Sequence, residues 1–125
     1  MDIKYIYFSI LVIVMILVYY NWSKSPHEID TNSAVSLVND ENHIFLDVRS
    51  FAEYNDGHIK DAYHLPLQNL KDRLDEIETI KNRDVIVYCR SGSRSRKATN
   101  FLLKNNFNAK NLVGGILKWE GELVK

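Results

Sequence analysis

From Tyr5 to Ser23 the chain carries no charged side chain, and Ile6 to Val18 (IYFSILVIVMILV) is almost wholly apolar. Such a run is too apolar for the surface of a soluble domain. As a helix rising about 1.5 Å per residue it spans roughly 28 Å, close to the ~30 Å hydrocarbon core of a bilayer. Tyr5, Tyr7, Tyr19, Tyr20 and Trp22 stand at its two ends, where amphipathic rings favour the membrane interface. The competing assignment is a cleavable signal peptide. Ser23-Lys24-Ser25 has the small-x-small form of a cleavage site, but Pro26 would follow the cut and Asp2 offsets Lys4 in the basic leader. The sequence therefore predicts a single-pass anchor over residues 1–22, entering the lipid bilayer through residues 5–22. A short linker at 23–27 and a domain at 28–125 follow, the domain held close to the bilayer. Lysines flank the run equally, so the positive-inside rule leaves orientation open.

About a hundred residues remain for the globular part, enough for one sizeable core. Net charge is zero, but its distribution is lopsided. Residues 24–84 hold seven basic and thirteen acidic side chains, whereas residues 85–119 hold seven basic and no acidic ones. The basic half is either one side of a charge-segregated surface or the surroundings of a site for small anions. It does not interleave with aromatics as a nucleic-acid module does, so no nucleic-acid partner is expected.

After the linker, helix-like and strand-like stretches alternate. Asp30 or Thr31 can cap a short helix carrying Ala34, Leu37 and Val38. Ile44 to Leu46 is a short apolar run, Phe51 to Tyr54 a brief helical patch, and Ala62 to Leu65 a short strand before Pro66. Leu67, Leu70, Leu74 and Ile77 recur at the spacing of an amphipathic helix. Val85 to Tyr88 is the clearest buried strand. A helix with Ala98, Phe101 and Leu102 on one face follows, then a strand at Asn111 to Val113 and a short helix ending near Trp119. Strands that do not alternate with polar residues are buried on both faces. The rhythm predicts an α/β domain with a central parallel sheet of about five strands between helices.

The single cysteine, Cys89, leaves that buried strand at its carboxyl end, the edge where open α/β sheets bind ligands. The next residues are Arg90, Ser91, Gly92, Ser93, Arg94 and Ser95. Glycine and small serines let a backbone curl so that successive N–H groups point inward. A helix starting near Ser93 adds the positive end of its dipole, and the two arginines add full charges. A thiol in such a cradle has its pKa lowered. A structural core cysteine is commonly flanked by apolar residues; here the following positions are polar, charged or glycine.

The run CRSGSR after a hydrophobic strand resembles the active-site loop of single-domain rhodaneses, the thiosulfate sulfurtransferase family. Asp47-Val48-Arg49, Glu53-Tyr54, Gly57-His58-Ile59, Ala62, Pro66, Gly114-Gly115 and Trp119 are similar to the rest of that family's pattern, so the likeness covers most of residues 28–120. Cysteine phosphatases place an arginine six positions after the cysteine; here that position is Ser95 and the arginine comes one earlier, at Arg94. In the family resembled, six-residue loops go with sulfur and seven-residue loops with phosphate or arsenate, so the resemblance implies sulfur here.

The resemblance implies a three-layer α/β/α domain in which Cys89 is the nucleophile and persulfide carrier. Arg90 to Ser95 would hold the donor and the transferred sulfur, with Asp47 and Arg49 supporting. The expected partners are a small anionic sulfur donor and a cyanide, thiol or protein-cysteine acceptor at the membrane, with no metal or organic cofactor. A binding or persulfide-relay module with little turnover is the alternative; a redox sensor lacks a resolving cysteine in the chain. A thiol that must stay reduced fits a cytoplasmic domain. Other residues have plain structural roles to fill: an Arg49–Glu53 ion pair four residues apart, a hydrogen-bonding His58 in a turn, and a core Trp119.

Overall fold

The computed structural model describes residues 1–23 and 27–125. Helix α1 (Ile3–Ser23) is apolar on all sides, and its Ile3–Asn21 stretch is long and apolar enough to cross a membrane. Of the expected linker, Lys24, Ser25 and Pro26 lie outside the described residues.

The remainder is a parallel five-stranded sheet with helices on both faces. Its elements are β1 (Glu28–Ile29), α2 (Thr31–Val35), β2 (His43–Asp47), α3 (Phe51–Asn55), β3 (His58–Ile59), β4 (Tyr63–His64), α4 (Leu67–Leu70), β5 (Asp84–Tyr88), α5 (Ser93–Lys104), β6 (Asn108–Leu112) and β7 (Leu123–Val124). The sheet order is β1-β6-β5-β2-β4, with β5 at the centre. On β5 the side chains divide by the two-residue period of a strand. Val85 and Val87, with Cys89 just beyond, pack with Ala98 and Leu102 of α5 and with Leu70 and Ile77. Ile86 and Tyr88 pack on the opposite face with Ala34, Phe45 and Leu112. Residues Val85 to Tyr88 are each at most 1% exposed, and burying a side chain of that size contributes about 1.5–3 kcal/mol.

The short helices start where capping chemistry allows. Asp30 accepts from the Ser33 N–H at 2.8 Å and caps α2. Ser50 and Glu53 form a reciprocal capping box at the start of α3. Two local expectations need correction. Residues 67–77 do not form one amphipathic helix: α4 ends at Leu70, and a 3-10 segment takes over at Leu74–Ile80. Leu74, Ile77 and Ile80 are spaced by three, which aligns them on the three-per-turn face of a 3-10 helix. The last sheet strand starts earlier, at Asn108: exposed Asn108 and Lys110 alternate with buried Ala109 and Asn111, so no continuous apolar run marks its first half. A second, antiparallel pair of β3 and β7 also forms, two residues a side, too short for any periodic signal.

Candidate active site

The first buttress of the cysteine loop is the segment after β6. The Cys89 carbonyl accepts from the Ile116 N–H at 2.9 Å, and the Arg90 carbonyl accepts from Leu117 at 3.1 Å. Such close approach needs Gly115: a methyl group there would lie 2.5 Å from the carbonyl oxygens of both Cys89 and Arg90. The chain then reverses at Gly92, whose φ of 107° is open to glycine and costly for other residues. α5 begins at the next residue.

This turn aims three donors at one atom. The Gly92 N–H donates to Cys89 Sγ at 3.1 Å, the Ser95 N–H at 3.4 Å, and the Ser95 hydroxyl lies 3.3 Å away. Burial pushes the Cys89 thiol up, but the Ser95 hydroxyl and N–H and the N–H groups of Gly92 and Ser91 together bring it below its ordinary value. Cys89 is only 1% exposed, so access to its sulfur is restricted to small reagents. Ser91 and Ser93 are exposed on the outside of the turn.

The two loop arginines differ. Arg94 is held by Glu53 in a two-pronged ion pair of 2.8 and 2.9 Å. That guanidinium, helped by the Ser50 N–H and hydroxyl, brings the Glu53 carboxyl down to about 2 against the pull of partial burial. Arg94 is therefore largely neutralised and clamps α3 to the start of α5. Arg90 is exposed and makes no ion pair among the described residues. It lines a cleft of about 290 Å³ together with Arg49, Glu53, Gly57, Ile116 and Leu117.

The predicted Arg49–Glu53 pair does not form. Arg49 turns back to Asp47, meeting its carboxylate at 2.7–3.1 Å, and donates to the Gly57 carbonyl at 2.7 Å. Both side chains are at most 5% exposed, so the spacing-of-four rule for exposed helices lost to the need to neutralise a buried carboxylate. Neither residue hydrogen-bonds to Sγ; they brace the Gly57 turn beside the cleft, with the Arg49 guanidinium 5.5 Å from the Tyr88 ring centre. His58 Nδ1 bonds to the Tyr54 carbonyl at 3.0 Å and its ring stacks on Tyr54. Trp119 packs edge-on to Phe45.

One residue of the site escaped the sequence reading. Asn111 on β6 is 2% exposed; its Oδ1 lies 2.6 Å from Ser95 Oγ, and its Nδ2 donates to the Gly92 carbonyl at 3.3 Å. The available signal was a polar residue at the inward phase set by Ala109.

A model of the rhodanese-like domain matches residues 30–122. The chain belongs to the rhodanese-like family. A sulfurtransferase of Allochromatium vinosum is 40% identical over 95 residues, covering 74% of this chain and 87% of that protein. A tRNA uridine(34) hydroxylase of Buchnera aphidicola is 34% identical over 89 residues, which are 67% of this chain but 28% of the hydroxylase. Among solved structures, a rhodanese-related protein of Thermoplasma volcanium superposes with a TM-score of 0.72 at 25% identity, over 78% of this chain and 97% of that one. A rhodanese-like domain protein of Staphylococcus aureus gives 0.70 at 28% identity, over 78% and 95%. The rhodanese fold and a sulfurtransferase-like character rest on this agreement.

Proposed function

We propose that this rhodanese-like chain moves sulfane sulfur through a Cys89 persulfide, at a membrane surface that α1 enters through residues 5–22. The observation that carries the proposal is the convergence of the Gly92 N–H, the Ser95 N–H and the Ser95 hydroxyl on Sγ. In the first half-reaction the Cys89 thiolate attacks the outer sulfur of a donor such as thiosulfate. A new S–S bond forms, the donor's S–S bond breaks, and sulfite leaves with the bonding pair. Arg90, exposed in the loop, would meet the donor's sulfonate charge. Loop N–H groups from Arg90 to Ser95 then hold the terminal sulfur. In the second half-reaction cyanide or a thiolate attacks that sulfur, and Cys89 departs as thiolate.

The test is steady-state thiocyanate formation by the full chain in detergent, with thiosulfate and cyanide both varied. Parallel double-reciprocal lines are expected; intersecting lines, or turnover that survives Cys89→Ser, exclude the scheme. A relay to a protein cysteine, with little free turnover, is favoured by Leu117. This side chain is 61% exposed and its N–H is bonded to the Arg90 carbonyl, so an apolar contact for a partner stands beside the loop. Crosslinked partners that disappear in Cys89→Ser support relay; partners that persist support docking alone.

A further inference from the structure

The Ser95 hydroxyl has one proton and two acceptors in reach. Asn111 Oδ1 is at 2.6 Å and Cys89 Sγ at 3.3 Å. The oxygen is much the nearer, at a normal O–H···O distance. The amide cannot be turned over to remove this competition without cost, because Nδ2 faces the Gly92 carbonyl and a flip would set two carbonyl oxygens against each other. Ser95 is fully buried and Asn111 nearly so, which leaves no room for solvent to replace a lost partner. The Asn111 backbone is equally constrained: it pairs with Glu28 on one side and Val87 on the other, and its N–H donates to the His27 carbonyl at 2.8 Å.

We infer that Asn111 is a positioning residue for Cys89: its side-chain carbonyl competes with Sγ for the single Ser95 hydroxyl proton, and so governs how firmly the free thiolate is held and how nucleophilic it stays. While Cys89 is a thiol, the chain S–H to Ser95 Oγ to Asn111 Oδ1 satisfies every member. In a persulfide, charge moves to the outer sulfur, Sγ no longer calls for the hydroxyl, and the Ser95–Asn111 bond persists. Only the free thiolate, already held by the Gly92 and Ser95 N–H groups, is left wanting the third donor that Asn111 holds back. A thiolate bound less tightly is the better nucleophile, because nucleophilicity falls as the pKa falls. The inference deepens the sulfur-transfer reading but concerns the thiol itself, so it is tested without any sulfur donor.

The experiment measures iodoacetamide alkylation of Cys89 against pH in the full chain in detergent, for wild type, Asn111→Ala, Ser95→Ala and the double variant. With Asn111 removed, the hydroxyl is free to turn to sulfur. The Ser95→Ala substitution should then raise the alkylation midpoint by at least about half a pH unit more, roughly a threefold larger effect, than it does when Asn111 is present. Equal Ser95→Ala shifts in both backgrounds overturn the inference, since a merely structural Asn111 would loosen the loop without regard to the hydroxyl. Should Asn111→Ala fail to fold, Asn111→Leu, of similar size and without an acceptor, serves in its place: Ser95→Ala should again shift the midpoint further than it does with Asn111 present, and equal shifts overturn the proposal. Loss of sulfur transfer with the coupling intact would count against the proposed function alone.

Discussion

At the residue scale, the division of labour between Arg90 and Arg94 has direct consequences. Arg94 spends its charge on Glu53, so Arg90→Ala should raise the KM for thiosulfate about tenfold, the loss of one charge-assisted contact, with a smaller effect on kcat. Arg94→Ala should act mainly on stability, seen as a lower urea midpoint. The pair also has a pH signature. Glu53 titrates lower in the folded chain than in the unfolded one, at about 2 rather than 4.5, so its contribution is complete above the unfolded value and disappears as pH falls toward 2. Arg94 is 38% exposed and Glu53 30%, so screening limits the contribution to about 1 kcal/mol or less. Urea titrations at pH 6 and pH 2.5 should show wild type losing more stability on acidification than Glu53→Gln by that margin; equal losses would remove the pair from the account. The neutralised state of Arg94 was not legible in the chain, because its partner lies 41 positions away. Nearness in sequence pointed Glu53 to Arg49 instead, while burial sent Arg49 to Asp47.

At the scale of elements, the cysteine turn is a strand end, a glycine reversal and a helix start, propped from behind by the segment at Gly115. Gly115→Ala would push a methyl into the Cys89 and Arg90 carbonyls. It should lower kcat/KM at least about tenfold by displacing the loop, even where the protein remains folded by circular dichroism. Gly92→Ala meets no such obstacle, its new methyl lying 3.5 Å or more from its neighbours. It should cost about 1–3 kcal/mol through the positive φ alone, read as a lower melting temperature. This turn could be read in sequence because its signals are local: an apolar strand, then glycine and serines, then a helical face at Ala98, Phe101 and Leu102. The two-residue β3–β7 pair and the change to 3-10 geometry after Leu70 could not. The first is made by contacts between distant segments, and a 3-4-3 spacing of leucines does not distinguish one helix from two. Asn111 was missed for a related reason, since a polar residue among strand residues reads as solvent-facing until a helix is placed over it.

At the scale of the whole molecule, the chain joins an apolar helix to a rhodanese-like domain whose sheet ends in one cradled sulfur. The parallel sheet was legible because unalternating apolar strands and intervening helices admit few arrangements; of the expected membrane setting, what is shown is the length and apolarity of α1. If α1 remains attached as an anchor, the full chain should sediment with membranes and resist extraction by carbonate, and the recovered protein should still carry residues 1–22. A soluble product starting near Ser25 would mean that a signal peptide had been removed. The central claim concerns Cys89 wherever the domain resides, and intact-mass spectrometry after exposure of the purified full chain to thiosulfate tests it most directly. The wild type should gain one sulfur atom, about 32 Da, released again by cyanide or a reducing thiol, and Cys89→Ser should gain nothing. A wild-type chain that stays at its original mass, or a Cys89→Ser chain that takes up the sulfur, would contradict the account.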